Sequence, residues 1–407
     1  MTDKKQRKAP VLRFKGFTND WEQRKLGEVA QIVRGASPRP INNPKWFDSE
    51  SNIGWLRISD VTSQKGKIYH LEQHISKLGQ QKTRVVTTPH LLLSIAASVG
   101  YPVINYVPTG VHDGFIIFEN LKLNIDFGFF WLQNFRPIWK KYGQPGSQVN
   151  LNRSIVSNTK ICFPSNIEQR KIVDLLNQIT KLQFLQQRKL KKIKLLKRAM
   201  LQNLFTCKSF PKVRFKGFLN AWEQRKLGEV AQIVRGASPR PINNPKWFDS
   251  ESNIGWLRIS DVTSQKGKIY HLEQHISKLG QQKTRVVTTP HLLLSIAASV
   301  GYPVINYVPT GVHDGFIIFE NLKLNIDFGF FWLQNFRPIW KKYGQPGSQV
   351  NLNRSIVSNT KICFPSNIEQ RKIVDLLNQI TKLQFLQQQK VKELQQTKEF
   401  LLQNMFI

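Results

Sequence analysis

The side chains best equipped for chemistry sit in short polar runs, and they are cations and hydrogen-bond donors rather than nucleophiles. Arg34 and Arg39 flank the turn Gly35-Ala36-Ser37-Pro38, and Arg57 and Ser59 follow Trp55. Lys65 and Lys67 share the turn QKGK, and Ser98 and Tyr101 border an apolar segment. The run YGQPGSQVNLNRS carries Gln144, Ser147, Gln148, Asn150, Asn152 and Arg153. Cations hold phosphates, Arg pairs with guanine, and Asn and Gln pair with adenine. These residues therefore predict contact with a nucleic acid, with Lys65 and Lys67 on phosphates and the amide-rich run on base edges. The competing assignment for Asn, Gln and Ser is turn formation, and for Tyr101 it is sheet core.

Catalytic signatures are missing. No phosphate loop of the G-x-x-x-x-G-K-[ST] type and no G-x-G-x-x-G fingerprint occurs. Neither C-x-x-C nor H-E-x-x-H is present, so no metal site is predicted. Asn43-Pro44 is followed by Lys45, which does not fit an amino-methyltransferase site, and Asp126-Phe127-Gly128 stands without the other kinase elements. His112 and Asp113 are adjacent and near Ser98 in sequence, but no nucleophile elbow accompanies them. The expectation is a chain without catalytic residues and without a cofactor of its own.

Charge supports this. The 407 residues include 60 Lys plus Arg against 26 Asp plus Glu, a formal net charge of +34. With 40% hydrophobic residues the chain is a folded protein, not a disordered basic tail. So large a positive field points first to nucleic acid and second to an anionic membrane surface. No apolar run approaches the roughly 18–20 residues needed to span a bilayer. Three Cys, and a polar start MTDKKQRKAP, predict a reducing, cytoplasmic setting.

The elements that position these residues are written twice. Trp21 begins WEQRKLGEVAQIVRGASPRP, Trp222 begins the same string, and identity is unbroken from Trp21 to Gln187. The second copy thus repeats the candidates as Arg235, Ser238, Arg240, Arg258, Ser260, Lys266, Lys268, Ser299, Tyr302, Gln345, Ser348, Gln349, Asn351, Asn353 and Arg354. A repeat this long is a domain-sized unit, and two of them predict a covalent dimer with approximate two-fold symmetry.

Within each copy, short apolar segments such as EVAQIV, LLLSIAA, YPVINYV and GFIIFE are separated by Gly and Pro, which reads as strands of a mixed sheet. NIDFGFFWLQNFRPIWKKY is longer and aromatic at helical spacing, and reads as a helix covering the sheet. After Pro164 no Pro or Gly occurs until Pro211. Ile172, Ile179, Ile193 and Met200 lie on one seven-residue row, and Leu175, Leu182 and Leu196 on a second, shifted by three. This predicts a rod of roughly 58 Å, with Gln186 and Lys189 as a polar break in its seam. Its counterpart carries Ile373, Leu376, Ile380, Leu383, Leu394 and Leu401, with Gln387 and Lys390 at the break. Apolar residues outside that seam, Val173, Leu176, Phe184, Leu185 and Leu195 with Val374, Leu377, Phe385 and Leu386, predict a face for partner proteins. The predicted fold is α+β: two globular mixed-sheet parts, residues 1–164 and 207–365, separated by long helices, 165–206 and 366–407, that pack as an antiparallel coiled coil.

This layout resembles the specificity subunit of type I restriction–modification systems, in which target recognition domains alternate with helices. WEQRKLGEVAQIVRGASP is similar to the start of a recognition domain, and GSQVNLNRSIVSNTKICFPSNIEQRKIVDLLNQI to its exit, with P-x-x-x-EQ-x-K-I leading into the helix. K-x-L-K-x-x-M-L-Q-N-L-F is similar to the helix end. The resemblance implies a subunit without activity of its own that binds double-stranded DNA and docks two N6-adenine methyltransferase subunits, which bring S-adenosylmethionine. Up to two restriction subunits, using ATP and Mg, would complete the assembly. Family members generally carry two different recognition domains. Here the two are identical, which predicts an interrupted palindrome as target. The competing function is a stand-alone DNA-binding regulator.

Overall fold

The computed structural model describes residues 9–95, 99–139, 151–206, 208–297, 300–340 and 352–407. They form two compact units. One joins the residues up to Gln187 with Gln389–Ile407, and the other is Arg188–Gln388. Each unit therefore holds one globular part, the start of the helix that leaves it, and the end of the other copy's helix.

In the first unit the elements run β1 (Glu22–Lys25), α1 (Leu26–Val29), β2 (Gln31–Arg34), β3 (Gly54–Trp55), α2 (Ile58–Ser63), β4 (Lys67–Ile68), α3 (Lys77–Gln80) and β5 (Arg84–Val86). They continue through β6 (Leu91–Ser94), β7 (Pro102–Asn105), β8 (Thr109–Val111), β9 (Phe115–Glu119), α4 (Ile125–Trp139), α5 (Arg153–Asn158) and β10 (Lys160–Phe163) to the long α6 (Asn166–Leu204). The main sheet has the order β2-β9-β6-β7-β4, antiparallel except for the parallel pair β4 and β7. A smaller sheet, β3-β8-β5, lies beside it, and β1 pairs with β10. The second unit has the same strand orders. The predicted α+β class with mixed sheets is what the chain adopts.

The strands LLLS and FIIFE are apolar at nearly every position because the main sheet is covered on both faces. Successive side chains point to opposite faces of a strand. Leu91, Leu93, Ile104, Ile116 and Phe118 join a core with Trp21, α4 and the start of α6. Leu92, Val103, Phe115 and Ile117 join a second core with Leu56, Val86 and Val111 toward the small sheet. Helix α4 covers the sheet as predicted. Gly128 permits its close approach, because a Cβ there would lie 2.7 Å from Leu91 Cδ2.

The EQ pair at the start of α6 anchors the rod. The Glu168 carboxylate, buried in the first helical turn, accepts two hydrogen bonds from the Arg13 guanidinium, 2.7 and 2.9 Å from Nε and Nη2. This bond raises the Arg13 pKa further. Gln169, also buried, accepts from the Asn124 amide at 2.9 Å and donates to the Pro164 carbonyl at 2.9 Å, tying rod, α4 and strand exit together. Arg214, Glu369 and Gln370 repeat the arrangement.

The expected antiparallel pairing of helices occurs in each unit. In the first, Ile172 and Leu176 share a core with Leu402, Met405 and Phe406, and Gln183 Nε2 donates to the Leu394 carbonyl at 2.9 Å. In the second, Leu201 and Leu204 share a core with Ile373 and Leu377. One row of the seam differs from the sequence expectation. The row Ile172, Ile179 and Ile193 is buried, but its companion is shifted by four residues rather than three: Leu176 and Leu204 are buried, with Gln183, Leu190 and Lys197 half-buried between. Leu182 and Leu196, and Lys189 at the expected break, are exposed. Both flanks of the isoleucine row carry leucines, so periodicity alone could not choose between them.

The seam therefore includes a lysine. Lys398, in the row that matches Lys197, lies with its ammonium 5.5 Å above the Phe130 ring. Burial, then the charges of Lys65 and Lys67, lower its pKa to about 8. Lys197 above Phe331 is lowered likewise to about 8.

Two outcomes are expected. Glu168→Ala with Glu369→Ala strands a largely buried guanidinium in each unit, and denaturation should register a loss of about 3–5 kcal/mol per unit. Lys197 and Lys398 bind protons more weakly folded than unfolded, so their penalty is full below pH 8 and fades as pH rises toward the unfolded value of about 10.4. Lys197→Met with Lys398→Met should melt higher than wild type at pH 7. The gap should narrow between pH 8 and 10 in melts run across that range.

Candidate nucleic-acid interface

Two groups of predicted residues take shape in each unit. The first lies where the turn after β2 crosses the loop between β8 and β9. Gly35 N donates to Phe115 O at 2.9 Å and Ala36 N to Val111 O at 3.0 Å, while Thr83 Oγ1 donates to Ala36 O at 2.6 Å. Only glycine fits at position 35, since a Cβ would lie 2.1 Å from His112 O and 2.6 Å from Val111 O. The crossing brings Arg34, Ser37 and Arg39 around Asp113. Arg39 Nη2 is 2.5 Å from Asp113 Oδ2, Ser37 Oγ donates to Oδ1 at 2.8 Å, and Arg34 Nε donates to the Asp113 carbonyl at 2.7 Å. The Arg39 side chain is still 72% exposed. Arg235, Ser238 and Arg240 meet Asp314 with the same partners.

Beside this group, His112 is packed between Trp55 and Phe115, with ring centroids 5.8 and 4.8 Å away. Its Nδ1 accepts from the Gly114 amide at 2.9 Å, and burial lowers its pKa, so the ring is a neutral packing element.

The second group surrounds the turn between α2 and β4. Lys65, with φ 53°, is exposed and donates to Gln187 Oε1 at 2.9 Å. Lys67 is half-buried: its ammonium bonds Asp126 Oδ1 at 2.6 Å and Asn177 Oδ1 at 3.1 Å, under the faces of Phe129 and Phe130. It latches β4 to α4 and the rod. Lys268 bonds Asp327 at 2.6 Å in the same way, and Lys266 sits near Gln388. Next to them Tyr69 and Tyr106 stack at 4.6 Å and 4° on the solvent side of the strand ends. Burial, then Asp126 and Tyr69, raise the Tyr106 pKa. Tyr69 escaped the sequence reading; its signal was a tyrosine just past each of two strands that turn out to pair.

Other candidates have structural duties. Arg57 braces the start of α2. Its Nε and Nη2 bond Asp60 at 3.0 and 2.9 Å, Nη2 reaches Glu72 at 3.1 Å, and these bonds raise its pKa. Arg258 repeats this. Tyr101 lies beneath the Arg136 guanidinium, 3.3 Å from ring centroid to Cζ, and Tyr302 beneath Arg337. Asn152 caps α5 by accepting from Ile155 N at 2.9 Å, and Asn353 caps its copy. Arg153 and Arg354 are exposed in that first turn, and Ser59 and Ser260 are exposed on α2 and its copy. Ser98, Gln144, Ser147, Gln148 and Asn150, with Ser299, Gln345, Ser348, Gln349 and Asn351, lie outside the described residues.

The predicted partner face divides. Val173, Leu176, Val374 and Leu377 are buried in their own unit's core, because the seam row runs through Leu176 rather than Leu175. Phe184 and Leu195 remain 56% and 55% exposed, with Leu185, Phe385 and Leu386 exposed as well.

Comparison with known proteins finds one family twice. The family described as type I restriction modification DNA specificity domain matches residues 18–195 and 220–396. Among solved structures, a chain from work on complex assembly and conformational transition of the type I R-M system aligns with TM-score 0.61 at 19% identity, covering 94% of this chain and 96% of its own. The S subunit of a type I restriction-modification system from M. genitalium aligns with TM-score 0.58 at 14% identity, covering 98% and 99%. The HsdS subunit from Thermoanaerobacter tengcongensis aligns with TM-score 0.50 at 20% identity, covering 95% and 96%.

Exposed cations and latching cations should separate on mutation. Lys67→Ala with Lys268→Ala should lower the melting temperature by several degrees. Arg39→Ala with Arg240→Ala, which breaks an exposed pair worth about 0–1 kcal/mol, should leave it nearly unchanged. Parallel thermal melts check this.

Proposed function

Since this chain belongs to the type I restriction–modification DNA specificity family, we propose that it is the non-catalytic subunit that reads a bipartite DNA site for partner enzymes. The observation that carries the reading is the duplication: a family match in each half, and in each unit the same exposed arginine group on the same loop crossing. A net charge of +34 suits a duplex that presents one phosphate charge per about 1.7 Å of axis. Arg39 and Arg240, both exposed, supply phosphate or guanine contacts. The amide-rich run that includes Gln148 and Gln349 supplies base readout.

The partners are two adenine-N6 methyltransferase subunits, which carry S-adenosylmethionine. Restriction subunits that use ATP and Mg add to them for cleavage. The exposed apolar side chains Phe184, Leu185 and Leu195, with Phe385 and Leu386, are the contacts for them on the rods. Leaving such side chains in water is unusual for a helix whose apolar stripe is already buried, and it supports an adaptor over a regulator that works alone.

Two identical readers recognise the same half-site on opposite strands, and the rods fix the gap between the halves. Methylated-base sequencing of a host that expresses this chain with its methyltransferase subunit should return N6-methyladenine in an interrupted palindrome. An asymmetric bipartite motif overturns the palindrome. Methylation that persists without this chain overturns the specificity role. Gln148→Ala with Gln349→Ala should relax the motif while leaving methylation in place.

A further inference from the structure

In a chain with so few carboxylates, Asp113 and Asp314 stand among the arginines offered to DNA. We propose that Asp113 and Asp314 are positioning residues of the reading surface, which hold the arginine group in one arrangement and weaken its grip on non-target DNA. The inference rests on the DNA-reading function and adds to it the origin of discrimination at this loop crossing.

The contacts define a single geometry. The Asp113 carboxylate takes Ser37 on one oxygen and Arg39 on the other. Its own amide donates back to Ser37 Oγ at 3.1 Å, and its carbonyl takes Arg34. Asp314 repeats each bond, with its amide 3.1 Å from Ser238 Oγ. The backbone beneath cannot shift readily, because Gly35 passes so close to the His112 and Val111 carbonyls. Among the described residues each arginine gives one bond to Asp113, which leaves its other N–H donors for a ligand. Burial pushes the Asp113 carboxyl up, but the Ser37 hydrogen bond and the charges of Arg39 and Arg34 outweigh it, so the group stays ionised near neutral pH.

The electrostatic consequence has a definite sign. Two guanidinium groups with one carboxylate carry a net charge near +1 instead of +2. A phosphate drawn to Arg39 also approaches Asp113, and that repulsion is present on any sequence. A target sequence offsets it with base contacts that the fixed arrangement aligns; other sequences do not. Removing the carboxylate should therefore strengthen binding to non-target DNA, while on the target the loosened geometry offsets that gain.

The test measures binding of the complex with its methyltransferase subunits by fluorescence anisotropy. One fluorescein-labelled duplex carries the motif found by methylated-base sequencing, and another carries the same bases scrambled. Asp113→Asn with Asp314→Asn should bind the scrambled duplex about tenfold tighter and lose about tenfold in discrimination. Its salt dependence should steepen by about 0.9 per copy, as one further cation in each engages phosphate. Ser37→Ala with Ser238→Ala keeps the charge and loses the orienting bond, so discrimination should fall with scrambled-duplex affinity unchanged. An Asp variant that binds the scrambled duplex no tighter, with its salt slope unaltered, overturns the proposal. A misfolded variant would weaken binding to both duplexes, opposite in sign to the expected result, and the serine variant then decides: full discrimination there overturns the proposal. A wild-type complex that shows no preference between the duplexes overturns the DNA-reading function itself, and that arm alone reveals it.

Discussion

In the first unit Trp21 meets Phe127 edge to face at a centroid distance of 6.1 Å, and Phe127 meets Phe406 in a tilted contact at 5.3 Å. The contact joins the start of the globular part, its covering helix and the residues just past the end of a helix that began in the other copy. A helix of 38 residues with one apolar stripe does not stand alone in water, where stability comes from the packing of that stripe. Here the packing is provided by a core that would lack a wall without it. Leu402, Met405 and Phe406 are as buried as the strands they complete, and the Leu12 amide bonds the Asn404 carbonyl at 2.8 Å. The second unit closes in the same way with Leu204 and Phe205, whose ring lies 5.2 Å from that of Phe328. Folding of each globular part and placement of each rod are thus one event. The Arg13–Glu168 pair acts at the opposite side of the same junction and fixes where the rod leaves.

Much of this was legible in the sequence because it follows from repetition and period. The duplication, the strands, the helix over the sheet and two unbroken rods all follow from patterns of apolar residues and from the positions of Pro and Gly. The polar candidates were harder to read. Lys67 and Lys65 stand two residues apart in one turn, yet the first is half-buried between Asp126 and Asn177 and the second is exposed, with a bond to Gln187. What separates them is the direction of a side chain at a strand start, set by residues about 60 and 110 positions away. Arg57 has a bracing role that the sequence did not show, because Asp60 and Glu72 converge on it through a helix turn and a loop. The seam row was misplaced by a single residue for a different reason: Leu175 and Leu176 are equally apolar, and only the globular part decides which one turns inward.

Polar residues inside the seam are the feature that a purely apolar design would omit. Gln183 satisfies a backbone carbonyl across the helix pair, and Gln387 is buried in the same stripe. Lys398 is held over Phe130 at a cost to its charged form. Such groups weaken a helix pair and narrow the registers it can adopt, since a slip of one turn would leave each of them facing apolar neighbours. A helix pair built this way gives up some stability for a single register.

Scarcity gives the acidic residues their meaning. With 26 carboxylates against 60 cations, general charge balance is beyond reach, and each acid acts locally. Glu168 fixes the rod through Arg13, Asp126 fixes the turn through Lys67, and Asp60 fixes α2 through Arg57. In all three the cation's side chain is at most 35% exposed. Asp113 differs in one physical respect, because the arginine it holds remains mostly in water. A cation that is both restrained and exposed can pass from an internal carboxylate to an external phosphate with little loss of charge pairing. The exchange is close to balanced, so small differences in the geometry of the incoming group decide it, and this is the condition under which a strongly basic surface can still discriminate.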